Sequence, residues 1–321
     1  MIGYDPASTK NATKTQHTVA GAVSGVFTRA VCQPLDVIKI RFQLQWEPLS
    51  RNAPNRGLYT GVVQATGKIL KDEGVKALWK GHVPAQYLSV VYGSTQLLTR
   101  MWHDFVVPVI PVTWANEYSP VTHFTCGSMA GAVATLTSFP FDVIRTRLVA
   151  QGEPKLYSGM FHAATSMYAK EGVGSFFRGL TPAVIQTAPL IGLQFGFYNF
   201  FIDLWNKSSW VSSQKEKSQL TIAAGTLGSG ALAGLGSKTL VYPLDLIKKR
   251  LQVRGFEEAR EQFGKVVVYK GVWQCLHTTV QEEGFLGLFK GYTPSVLKAS
   301  LVSALHFAFY EWALYAQVTM S

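Results

Sequence analysis

Three stretches of the chain carry the same ionisable pattern. Pro34, Asp36, Lys39 and Arg41 recur as Pro140, Asp142, Arg145 and Arg147, and again as Pro243, Asp245, Lys248 and Arg250. In each copy the carboxylate and the first cation stand three apart, on one face of a helix. If three such helices surround one axis, each carboxylate meets the cation of a neighbouring copy. Asp36, Asp142 and Asp245 with Lys39, Arg145 and Lys248 then form a closed ring of ion pairs. Such a ring bars a passage when formed and opens it when broken. Gln43 and Gln252 stand seven residues beyond their aspartates, about 10 Å along a helix. Their amides are placed to brace the ring. The second copy has Val149 there, so a third brace is missing.

Other cations are surplus to the ring. Arg29 and Lys238 each stand seven residues before the ring aspartate, where the second copy has Thr135. Seven residues is nearly two turns, so each cation shares its aspartate's stripe. Lys298 stands well inside another predicted helix. Arg29, Lys238 and Lys298 are read as unpaired cations facing one cavity, suited to a phosphorylated anion. Gln96, Gln194, Tyr92, Tyr198 and His306 are candidates for a neutral or cationic end of the same solute. Nothing points to catalysis. The seven histidines show no metal-ligand spacing, and no GxxxxGK[ST] loop is present. Cys32, Cys126 and Cys275 lie too far apart for a metal pair. No metal, no cofactor and no enzymatic activity are expected. The net charge is +11, but a nucleic-acid binder would gather its cations on one aqueous face. Here they follow the repeat, so no nucleic acid is expected.

The elements that must position these groups follow from composition. Of 321 residues, 47% are hydrophobic and only 15% charged, against about 25% charged in soluble domains. No Asp, Glu, Lys or Arg occurs over 15–28, 83–99, 118–141, 180–202, 218–237 or 299–310. About 20 mostly apolar residues cross a bilayer as a helix. These windows are rich in Gly, Ala, Ser and Thr, which let membrane helices approach closely. Helices are predicted over 15–45, 82–105, 118–150, 180–206, 218–252 and 292–318. Pro34, Pro140 and Pro243 are expected to kink the first helix of each copy. Two further triplets recur between the helices of a copy. One is Tyr59-x-Gly61, Tyr157-x-Gly159 and Tyr269-x-Gly271. The other runs from Glu73-Gly74 to Trp79-Lys80-Gly81, from Glu171-Gly172 to Phe177-Arg178-Gly179, and from Glu283-Gly284 to Phe289-Lys290-Gly291. They bracket a short amphipathic helix. The expected fold is an all-α membrane protein, with six transmembrane helices in three pseudo-threefold repeats around a central cavity. The repeats are 15–105, 118–206 and 218–318, behind a polar tail, 1–14, that resembles neither a secretory signal nor a transit peptide. Any organelle address is expected to be internal.

This pattern of Pro-x-Asp-x-x-basic-x-Arg, acidic-Gly and aromatic-basic-Gly, three times over, resembles the mitochondrial carrier family. The resemblance implies a monomeric, multi-pass inner-membrane transporter working by alternating access, with the charge ring as its matrix gate and the short helices on the matrix side. It implies that Leu88, Gln186 and Lys298, each seven residues past a repeat-end glycine, contact the substrate, with Thr187 beside them. It implies cardiolipin sites at Gly61, Gly81, Gly159, Gly179, Gly271 and Gly291, where exposed helix N–H groups suit phosphates. The loop 46–81 holds six Lys/Arg against three Asp/Glu, and the link 106–117 holds none against one, as a positive-inside bias predicts. One departure concerns the second, cytosolic gate. The aligned positions are Arg100-Met101, Tyr198-Asn199 and Tyr310-Glu311, closed by Asp104, Ile202 and Leu314. Only Glu311 keeps its motif charge. The likeness extends, through Lys80-Gly-His-Val-Pro-Ala-Gln86 and Ala150-Gln-Gly-Glu-Pro-Lys155, to the family's carriers of thiamine pyrophosphate. It implies import of that solute by exchange for a nucleotide. A carrier of coenzyme A or adenine nucleotides would need similar cations and is the alternative.

Overall fold

The structure, a computed structural model, describes residues 14–49, 57–106, 119–208 and 219–320. Among them all regular structure is helical. The first repeat comprises α1 (Lys14–Leu44), α2 (Val62–Glu73) and α3 (His82–Val106). The second comprises α4 (Ser119–Ala150), α5 (Met160–Glu171) and α6 (Leu180–Lys207). The third comprises α7 (Gln219–Gln252), α8 (Val272–Glu283) and α9 (Tyr292–Met320). A 3₁₀ turn follows each short helix: Val75–Trp79, Val173–Phe177 and Phe285–Phe289.

Pro34, Pro140 and Pro243 lie inside α1, α4 and α7. Each proline leaves the carbonyl four residues back without its helical donor. In the first repeat the Trp79 indole N–H supplies one, donating to the Ala30 carbonyl at 3.0 Å. Gly74, Gly172 and Gly284 end the short helices at φ 78°, 74° and 75°, a conformation glycine adopts without a Cβ penalty.

The last helix of each repeat packs on the first helix of the next. α3 lies on α4, α6 on α7, and α9 returns to α1, closing a ring of six. Small residues set some of these contacts. A Cβ on Gly236 would stand 3.1 Å from the Phe197 ring. α1, α4 and α7 also touch one another where their proline motifs converge. The main apolar core sits at that end, built from Val37, Ile38, Phe139, Val143, Tyr59 and Met167 among others.

Elsewhere the long helices expose large apolar side chains, including Val26, Phe195, Phe200, Leu227 and Phe307. No helix among the described residues is both long and apolar enough to cross a membrane by its average hydropathy. Length is not what is lacking. Helices of 25 to 34 residues reach about 37–51 Å, beyond a hydrocarbon core of about 30 Å. The average falls short because the long helices carry glycines, hydroxyls and charges among their apolar residues.

Candidate functional site

The converging ends of α1, α4 and α7 bring the three motif pairs together. Lys39 Nζ lies 2.7 Å from Asp245 Oδ2, Arg145 Nη2 lies 2.5 Å from Asp36 Oδ2, and Lys248 Nζ lies 2.7 Å from Asp142 Oδ2. Each pair joins two repeats, and the three together close a cycle. Two amides support it. Gln43 Nε2 donates to Asp245 Oδ2 at 3.0 Å and to the Tyr242 hydroxyl at 3.1 Å. Gln252 Nε2 donates to Asp142 Oδ2 at 2.8 Å. Val149 is buried and offers no donor to the third aspartate. Lys249, which the spacing argument passed over, adds a second cation to Asp142 at 2.8 Å.

The surplus cations lie next to this ring. Arg29 is within electrostatic reach of Asp36, Asp142 and Arg145, and Lys238 of Lys39, Asp245 and Lys298. Both are partly exposed. Each donates to a backbone carbonyl at an equivalent place near the start of a last helix. Arg29 Nη1 reaches Ala85 O at 2.8 Å, and Lys238 Nζ reaches Ser295 O at 2.8 Å. Neither forms an ion pair among the described residues. Lys298 corrects the sequence reading. It is not an unpaired cation, because its Nζ donates to both oxygens of Asp36, at 2.7 and 2.9 Å. Asp36 lies 262 positions away in the chain, and only closure of α9 onto α1 brings the two together.

The remaining predicted contacts divide. Leu88 is partly exposed and apolar, and Gln186 Oε1 is buried without a hydrogen-bond partner among the described residues. Thr187 sits between two long helices. Its hydroxyl donates to the Ala183 carbonyl at 3.0 Å, and its methyl group stands over Gly131. It packs α6 against α4 and presents no free donor. His306 is held by Ser24, whose hydroxyl contacts His306 Nδ1 at 3.0 Å and donates to the His306 carbonyl at 2.7 Å. Gln194 is exposed and Tyr198 partly so. The side chains of Gln96, Arg100, Met101 and Asp104 lie outside the described residues.

A second set of ion pairs was not foreseen. The last arginine of each motif grips the glutamate of the acidic-Gly pair, and the aromatic-basic-Gly cation grips it from the other side. Arg41, Glu73 and Lys80 form one cluster, Arg147, Glu171 and Arg178 another, and Arg250, Glu283 and Lys290 the third. Arg147 is fully buried. The tyrosines of the Tyr-x-Gly triplet lie on the same arginines, with the Tyr59 hydroxyl 2.8 Å from Arg41 Nη1 and the Tyr269 hydroxyl 3.3 Å from Arg250 Nη1. The clusters also cap helices. Arg41 Nε donates to the Val149 carbonyl at 3.4 Å, Arg147 Nε to the Gln252 carbonyl at 3.2 Å, and Arg250 Nε to the Gln43 carbonyl at 3.1 Å, each in the last turn of a neighbouring repeat's first helix. Cations at helix C-termini are favoured by the exposed carbonyls. Burial opposes the Glu73 charge, yet the hydrogen bonds and charges of Arg41 and Lys80 hold its carboxyl below the usual range. Arg260, which donates to the Leu44 carbonyl at 2.6 Å, is lowered to about 10 by burial, with the Arg250 charge adding to it.

The repeat-end glycines lie between repeats. Gly81, Gly179 and Gly291 adopt φ 74°, 82° and 81°. A Cβ on them would stand 3.0, 2.8 and 2.9 Å from the carbonyls of Arg145, Lys248 and Lys39. Gly61, Gly159 and Gly271 open the short helices in extended conformation, with open space where a Cβ would be. Gly81 and Gly159 line one cavity of about 240 Å³, with Lys76, Lys80, Lys155 and Ser158 on its wall. Two helix N-termini from neighbouring repeats meet there. Among the described residues no cluster of His, Cys, Asp and Glu could hold a metal ion.

The comparisons with known proteins bear on the whole chain. The sequence model of the family described as mitochondrial carrier protein matches residues 10–103, 116–209 and 221–317. The mitochondrial thiamine pyrophosphate carrier of Homo sapiens is 49% identical over 97% of this chain and 95% of its own length. The mitochondrial thiamine diphosphate carrier 1 of Zea mays is 37% identical over 92% of each. The mitochondrial thiamine pyrophosphate carrier 1 of Phaeosphaeria nodorum is 38% identical over 93% of this chain and 92% of its own length.

Proposed function

The chain belongs to the mitochondrial carrier family, and from that membership we propose that it imports thiamine pyrophosphate across the mitochondrial inner membrane into the matrix. It works as a monomer by alternating access and returns a nucleotide in exchange. The supporting observation is the grouping of Arg29, Lys238 and Lys298 beside a closed ring of ion pairs, in a chain whose relatives carry that solute's name. The diphosphate supplies the anionic oxygens that Arg29 and Lys238 lack. The unpartnered Gln186 amide oxygen accepts from an amino group on the ring end, beside Leu88. The ring is the matrix gate, and this conformation is the one closed on the matrix side. The cavity between Gly81 and Gly159 takes a cardiolipin phosphate on free helix N–H groups. Gly61, Gly179, Gly271 and Gly291 serve the two equivalent sites.

Purified protein in liposomes provides the test. Labelled thiamine pyrophosphate should enter vesicles loaded with nucleotide, and should enter faster than labelled ATP or coenzyme A. Lys238→Ala should reduce that uptake by about tenfold or more, the loss expected for one charge-assisted contact. Uptake of coenzyme A or ATP without uptake of thiamine pyrophosphate would overturn the assignment of the solute.

A further inference from the structure

The three ring aspartates are not supported alike. Asp245 and Asp142 each receive a glutamine amide, from Gln43 at 3.0 Å and from Gln252 at 2.8 Å. Both glutamines reach to the aspartate of another repeat, in the same rotational sense. The third such position is Val149, which by symmetry would serve Asp36. The backbone there is equivalent. Built Cβ atoms on Gly291, Gly179 and Gly81 would meet Gln43 Cγ at 3.2 Å, Gln252 Cγ at 3.4 Å and Val149 Cγ2 at 3.0 Å. Asp36 has Lys298 instead, which donates to both of its oxygens from α9.

We propose that Lys298 is the third brace of the ring, and that a solute anion held by Lys298 must draw it away from Asp36. One ammonium then serves two competing partners. While it spans the two Asp36 oxygens, the Asp36–Arg145 pair is held as the other two pairs are. When a phosphate takes it, that pair loses its support and the ring weakens first between α1 and α4. A ligand shifts an equilibrium only by its differential affinity for the two states, and this exchange of partners supplies such a difference. Among the described residues Arg29 and Lys238 donate only to backbone carbonyls, so binding at them leaves the ring pairs intact. The bracing half stands on the geometry of the ring, while the solute half rests on the carrier reading above.

Thermal unfolding of the purified full chain separates the two halves. Lys298→Ala should lower the unfolding temperature of the ligand-free protein by a few degrees. Adding Val149→Gln to that variant should restore it, because the glutamine reaches Asp36 as Gln43 and Gln252 reach their aspartates. Val149→Gln alone should raise the temperature above wild type, a readout that stands even where Lys298→Ala fails to fold. An unchanged temperature in Lys298→Ala, or no recovery in the double variant, would sink the brace. Thiamine pyrophosphate should stabilise the wild type more than the restored double variant, which keeps only Arg29 and Lys238 for the phosphates. Equal stabilisation of both would end the competition for Lys298. Failure of thiamine pyrophosphate to stabilise the wild type would instead remove the solute reading, leaving the ligand-free comparison of braces in force.

Discussion

Glu73 shows what single residues contribute here. Its carboxylate lies between Arg41 and Lys80, and Glu171 and Glu283 are held in the same way. Taking charges out of water is costly, so such a cluster is tolerable only when every member is paired. Removing the carboxylate leaves two poorly solvated cations facing each other, a loss of about 3–5 kcal/mol. The pH dependence has a definite sign. The folded protein holds the Glu73 carboxyl below its ordinary 4.5. Its contribution is therefore complete above 4.5 and is lost as pH falls through the lower folded value. Glu73→Gln has no such contribution at any pH. The gap in unfolding temperature between wild type and Glu73→Gln should be wide near neutrality and should narrow towards about pH 3. Other carboxylates are common to both proteins and cancel in the difference. A gap that stays constant over that range would show that Glu73 is not held as its charged form.

At the scale of elements, the two sets of glycines behave oppositely. Gly179 starts α6 at φ 82° with the Lys248 carbonyl 2.8 Å from a would-be Cβ, so a methyl group there forces α6 away from α7. Gly61 starts α2 in extended backbone with nothing nearby. Gly179→Ala should destabilise by about 1–3 kcal/mol, from left-handed strain and the clash. Gly61→Ala should leave unfolding in lipid-free detergent nearly unchanged, while reducing the stabilisation gained from added cardiolipin. Equal losses in detergent would contradict the geometry. The helices themselves were legible, because charge-free windows bounded by repeated Glu-Gly and basic-Gly signals place long helices within a residue or two. The grip of Arg41 on Glu73 was not, because the partners lie 32 positions apart across a loop and nothing local selects one carboxylate over another. The use of the Thr187 hydroxyl was not legible either. Position on a helix face does not reveal whether a hydroxyl is already spent on its own carbonyl four residues back.

For the whole molecule, three-copy repetition allowed the ring to be read from one dimension. Pseudo-symmetry turns a spacing within one repeat into a contact between two, so Lys39 with Asp245 follows from Asp36 with Lys39. Lys298 escapes that logic, since its counterparts Leu88 and Gln186 carry no charge and only the assembled ring brings it to Asp36. The same symmetry gives a test that no single helix could pass alone. Lys39 and Asp245 are 2.7 Å apart in different repeats, with Gln43 beside them. Lys39→Asp sets two carboxylates against each other and should reduce uptake to near background, the ring being unable to close. Adding Asp245→Lys restores the attraction with its polarity reversed. The Gln43 amide carries both a donor and an acceptor, so it can support either orientation. The double variant should recover a substantial part of the wild-type rate, whereas Asp245→Lys alone should be as inactive as Lys39→Asp. If the double variant stays as inactive as either single variant, the two side chains do not act on one another across the ring, and the pairs do not gate the passage.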